Sequence, residues 1–99
     1  MRPQGLAYAK AGRESGGLFF VVGTDGKTVL LADGRRRKLA APKRKSLRHV
    51  EMLSSEEFEL AAAGLDGEMT DRQIIRALAA YRAGLKQRRE GTEVWQKTI

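Results

Sequence analysis

Short apolar blocks separated by glycine-rich turns fill the first half of the chain, and a helical rhythm fills the second. Residues 6–10, Leu-Ala-Tyr-Ala-Lys, predict a short strand with Leu6 and Tyr8 on one face. Residues 11–17 hold three glycines and predict a turn. Leu18-Phe19-Phe20-Val21-Val22-Gly23 is an apolar run rich in β-formers, bounded by glycines, and predicts a buried strand. Alternation puts Phe19 and Phe20 on opposite faces, so one is expected in the core and the other is a candidate base-stacking contact. Asp25-Gly26 between two apolar runs is the strongest hairpin signal, with Thr28–Ala32 as the returning strand. Asp33-Gly34 turns the chain again. Pro42 keeps the following stretch extended or turned. Leu47, Val50 and Met52 or Leu53 suggest a last short strand over about residues 46–53. Four or five short strands in half a small chain predict a strongly bent barrel rather than an open sheet.

The pattern changes at Ser54. Ser54 precedes Glu57 by three residues, and Thr70 precedes Gln73 likewise, so each spacing predicts a helix start. The first helix is expected to end near Gly64. In the second, Ile74, Leu78, Tyr81 and Leu85 recur at helical spacing with Ile75 beside them, a stripe expected to pack on the barrel or the first helix. Gly91 is the expected stop, leaving a tail that carries Trp95. The fold class is therefore α+β, with residues 1–53 as a small barrel and 54–99 as a helical extension.

Charge sharpens the picture. The chain has 99 residues and a formal charge of +7, but residues 1–50 hold 12 Lys/Arg against 3 Asp/Glu, and residues 51–99 hold 7 against 9. Seven of the bases fall within residues 35–45, in two clusters, Arg35–Lys38 and Lys43–Lys45, separated by Leu39–Pro42. Solubility alone does not require such crowding. Basic residues on the loops of a folded sheet suit phosphate contacts, and arginine can bond phosphate bidentately or stack on a base. Lys10 and Arg13, on the first loop, and Arg48 and His49, after the second cluster, extend the surface. Arg82, Lys86, Arg88 and Arg89 give the last helix a basic end that suits its dipole.

Other chemistries find little support. A lone His49 and no cysteine do not make an ordinary zinc site, and no nucleophile–base pair or phosphate-cradling glycine loop is signposted, so neither catalysis nor a cofactor is expected. No apolar run approaches the roughly 20 residues of a membrane span. Met1–Gly5 lacks the apolar stretch of a signal peptide, and a cytoplasmic protein is expected.

The run from Ala9-Lys10-Ala11-Gly12-Arg13-Glu14 to Phe20-Val21-Val22 resembles the KOW motif of ribosomal and transcription-associated proteins. Val29–Lys38 and Pro42–Val50, with their Asp-Gly turn, basic run and Arg-His pair, strengthen the likeness to the KOW-type large-subunit ribosomal proteins of eukaryotes and archaea and their short bacterial relatives. The resemblance covers roughly residues 5–53 and does not extend to the helical half. It implies an SH3-like β-barrel, RNA binding, and ribosomal RNA or ribosomal proteins as partners. The RNA-contacting residues expected are Lys10, Arg13, Arg35, Arg36, Arg37, Lys38, Lys43, Arg44, Lys45, Arg48 and His49. The competing reading is a protein-interaction module built on the helical half, with the basic face incidental.

Overall fold

The computed structural model describes the backbone of residues 2–98 and the side chains of residues 2–85. Five strands form one antiparallel sheet: β1 Gly5–Ala9, β2 Leu18–Asp25, β3 Thr28–Ala32, β4 Lys43–Ser46 and β5 Val50–Met52. Two helices follow, α1 Ser55–Ala62 and α2 Asp71–Thr98. The strand order is β4-β3-β2-β1-β5, so the meander β1–β4 is completed by β5 against the far side of β1. A single 3₁₀ turn, Leu47–His49, carries the chain from one edge strand to the other. The sheet must therefore curl until its two edges approach. A register shift between Val21 and Gly23 in the β2–β3 pairing marks an irregularity where the long strand can bend. The result is an α+β fold with a curled half-barrel.

Strand alternation sorts the core into two layers. Ala7, Ala9, Phe19, Val21, Val29, Leu31 and Val50 form one buried cluster. No helical residue belongs to it, so its burial comes from the sheet closing on itself. Leu6, Leu18, Phe20, Val22 and Ala32 face the other way and share a second cluster with Ala61, Ala62, Met69, Ile74, Ala77, Leu78 and Tyr81. Phe20 also meets the edge of Phe58, with ring centroids 6.5 Å apart and planes at 81°. The expected division of Phe19 and Phe20 between opposite faces holds, but neither is exposed, because the helices cover the outer face. Neither phenylalanine offers a stacking surface.

The helix starts follow the expected chemistry. Ser54 Oγ accepts from the Glu57 N–H at 3.2 Å, and Thr70 Oγ1 from the Gln73 N–H at 3.2 Å. Glu57 Oε2 also accepts from the Tyr81 hydroxyl, tying α1 to α2, and Gln73 Nε2 donates to the Asp66 carbonyl at 2.6 Å. The Ile74–Leu78–Tyr81 stripe packs on the sheet as expected, with Leu85 half-buried against the same cluster.

Two boundaries differ from expectation. The strand placed over residues 46–53 is really β4, a 3₁₀ turn and β5, with Leu47 and Met52 exposed. Helix α2 runs through Gly84 and Gly91 rather than stopping at the latter. A glycine weakens a helix by only about 1 kcal/mol relative to alanine, and the surrounding lysines, arginines, glutamines and glutamates are good helix formers. The side chains of Lys86, Arg88, Arg89 and Trp95 lie outside the described residues.

Candidate nucleic-acid interface

Three basic segments are joined by direct contacts, Glu14 to Arg37 and Lys45 and the Lys10 N–H to the His49 carbonyl. They are the β1–β2 connection at residues 10–17, the β3–β4 connection at 33–42, and β4 with its 3₁₀ turn at 43–49. Together residues 10–17 and 33–49 carry ten Lys/Arg and two carboxylates, Glu14 and Asp33. Both carboxylates work inside the fold.

Asp33 shapes its own loop. Its Oδ1 accepts from the backbone N–H groups of Arg35 at 3.0 Å and Arg37 at 2.9 Å, and the Arg37 carbonyl accepts from the Asp33 N–H at 2.9 Å. This tight turn turns Arg35 and Arg36 outward, where both are exposed. The loop is also moored to α2: Asp71 Oδ1 accepts from the Leu39 N–H at 2.8 Å. Gly34 sits against the same helix end with φ of +81°, and a β-carbon there would run into the Asp71 carbonyl. The helical half thus fixes the shape of the first basic cluster.

The second cluster is not a loop. Lys43, Arg44, Lys45 and Ser46 pair with Leu31, Leu30, Val29 and Thr28 as strand β4. Residues directly opposite in an antiparallel pair share a face. Lys43 and Lys45 therefore share the inner side of the curl with Leu31 and Val29, while Arg44 lies on the outer side. The sequence concealed this strand because the pattern search follows apolar residues, and its alternation is carried by two lysine stems. Inward-pointing charges are a known way to keep an edge strand from pairing with another molecule.

Glu14 closes the assembly. It is buried, with 7% of its side chain exposed, and it receives cations from both other segments. Arg37 donates to Glu14 Oε1 through Nε at 3.0 Å and through Nη2. Lys45 Nζ lies 3.6 Å from Glu14 Oε2, with 9% of its own side chain exposed. The Arg37 hydrogen bonds hold the Glu14 carboxyl below its ordinary range. Burial opposes them, and the charge of Arg37, a backbone N–H and the more distant charge of Lys43 reinforce them. Gly12 lies beside Lys45 as well: a β-carbon there would be 2.9 Å from Nζ.

The eleven expected contacts thus fall into two groups. Arg37 and Lys45 are engaged with Glu14, and Arg44 pairs with Asp25 at 2.7 Å on the exposed outer side. Lys10, Arg13, Arg35, Arg36, Lys38, Arg48 and His49 are exposed, Lys43 is half-buried, and none of these eight forms a side-chain ion pair or hydrogen bond within the described residues. Lys10 adjoins the 3₁₀ turn, because its N–H donates to the His49 carbonyl at 2.7 Å. Glu14 itself was missed. A lone acid in a glycine-rich loop looks solvated, and its partners lie 23 and 31 residues away. No group of three or more metal-ligating side chains and no helix able to cross a membrane occurs among the described residues.

No protein-family model matches the chain, and no curated protein matches it in sequence.

Proposed function

We propose that this protein is a KOW-type, SH3-like RNA-binding module that docks on structured RNA, ribosomal RNA first among the candidates. One observation carries this reading: Lys10, Arg13, Arg35, Arg36 and Lys38 stand exposed and, among the described residues, unpaired, on segments that Glu14 and Asp71 tie down. Lysines and arginines with no internal partner can neutralise phosphates and release counterions, and loops held in place lose little freedom on binding. The sequence resemblance over residues 5–53 adds the ribosomal context. Phe19 and Phe20 are both buried, so affinity rests on backbone contacts rather than on stacking by these rings.

The test is salt-dependent binding of the full chain to a structured ribosomal RNA fragment. The double variant Arg35→Ala/Arg36→Ala should weaken binding across RNA sequences and flatten the log-affinity against log-salt slope by roughly 0.7–0.9 per lost contact. An unchanged affinity and slope would remove the reading. The alternative, a protein-interaction module, has its own observation. Leu60 on α1 is 55% exposed beside a hollow of about 450 Å³ lined by Ala61, Gly64, Ala77, Ala80, Tyr81 and Gly84. A partner bound there would be insensitive to salt and to the Arg35/Arg36 variant.

A further inference from the structure

Glu14 lies where an RNA-binding surface has least use for a carboxylate. It contacts Arg37 and Lys45, lies within the field of Lys43 and follows Arg13 in the chain, and as a plain negative charge it would repel phosphate and lower affinity. Its geometry indicates a different role. Its two oxygens address different segments: Oε1 takes Arg37 from the β3–β4 connection, and Oε2 faces Lys45 of β4. Glu14 itself belongs to the third segment, whose turn is held by Gly16 N–H to Ala9 carbonyl and Gly17 N–H to Glu14 carbonyl bonds at 2.8 and 2.9 Å. One buried carboxylate thereby links all three basic segments. Without it, the buried Lys45 and the part-exposed Arg37 would lose the charge that balances both, and the loops carrying Arg13 and Arg35–Arg36 would lose their common anchor.

We propose that Glu14 is a positioning residue for the RNA interface, fixing the relative placement of the exposed cations by spending Arg37 and Lys45 as internal ligands. The proposal rests on the RNA-binding reading. It leads to an expectation opposite to simple electrostatics. Glu14→Gln raises the net charge by one and releases two cations, so a protein that merely binds polyanions should bind RNA more tightly and with a steeper salt slope. A protein that depends on the placement should bind more weakly, by about three- to tenfold, the equivalent of one or two phosphate contacts.

The experiment measures binding of full-length wild type, Glu14→Gln and Lys45→Gln to one ribosomal RNA hairpin fragment across a salt series, with amide NMR spectra to confirm a folded sheet. Wild type should bind with a steep slope. Glu14→Gln should bind more weakly despite its extra charge, with line broadening or shifts confined to residues 10–17 and 33–46. Lys45→Gln should leave the slope unchanged, because Lys45 is committed to Glu14 rather than to phosphate. Tighter binding by Glu14→Gln would overturn the proposal, making Glu14 a mere counter-charge. If Glu14→Gln does not fold, Lys45→Gln decides: a slope lower by roughly 0.7–0.9 would identify Lys45 as a phosphate contact and refute the assignment. Failure of wild type to bind would instead remove the RNA reading itself.

Discussion

Replacing Gly34 with alanine probes the joint between the first basic loop and α2. Two effects combine at this position. The backbone is left-handed, at φ of +81°, which a residue with a β-carbon tolerates at a cost of roughly 1–2 kcal/mol. The new methyl would also press on the Asp71 carbonyl and lie 2.9 Å from Ile75 Cγ1. Overpacking of this kind typically costs about 1–3 kcal/mol, so the total expected loss is about 2–5 kcal/mol. Gly26 supplies the control. Its φ is +59°, but nothing lies within 4 Å of its would-be β-carbon, so Gly26→Ala carries only the backbone effect. Urea unfolding of the two variants isolates the contact. Gly34→Ala should lose about 1–3 kcal/mol more than Gly26→Ala at similar m-value. In a thermal melt of a domain this size, that difference is a further drop of roughly 4–24 °C. Equal losses in the two variants would show that the loop does not bear on the helix, and the mooring through Asp71 would lose its structural basis.

Other expectations follow from the same contacts. Glu14 has a folded-state pKa below its unfolded value, so its ion pairs contribute stability above the ordinary carboxyl value of 4.5 and lose it as pH falls through the folded value. The urea midpoint of wild type should therefore fall more steeply in acid than that of Glu14→Gln. Ser54→Ala and Thr70→Ala should each cost about 1 kcal/mol through a lost helix cap, and amide exchange should locate the fraying at residues 55–57 and 71–73. A fragment of residues 1–53 should fail to give a cooperative melt as a monomer, since it would expose Leu6, Leu18, Phe20 and Val22. A sharp melt of that fragment would show that the inner layer is sufficient alone.

Legibility in the sequence followed locality. The β2–β3 hairpin could be read because Asp25-Gly26 sits between two apolar runs, and both α-helix starts because Ser54 and Thr70 cap within three residues of themselves. The outward Arg35 and Arg36 could be read because their turn is encoded by Asp33, two and four residues from the N–H groups it accepts. What stayed hidden depends on distant partners. Strand β4 has no apolar residue to announce it, and only its register with β3 shows that Lys43 and Lys45 point inward. The burial of Phe20 needs helices more than thirty residues downstream, and that of Phe19 needs the sheet to curl on itself. The sorting of cations into exposed and engaged groups depends on Glu14, whose partners the chain brings close only by curling.

The closure of the sheet also orders events in time. Pairings β1–β2, β2–β3 and β3–β4 join neighbours in sequence, whereas β1 and β5 join the segments farthest apart, at Ala7–Met52 and Ala9–Val50. Closing a long loop is favoured only once the meander exists to receive it, because its entropic penalty precedes its contacts. The expected folding nucleus is therefore the β2–β3 hairpin, with β5 zipping on after the barrier. Conservative substitutions should divide accordingly: Val29→Ala should mainly slow folding, and Val50→Ala should mainly speed unfolding. The 3₁₀ turn that joins the sheet edges in space is then the last part of the sheet to form and the first to open.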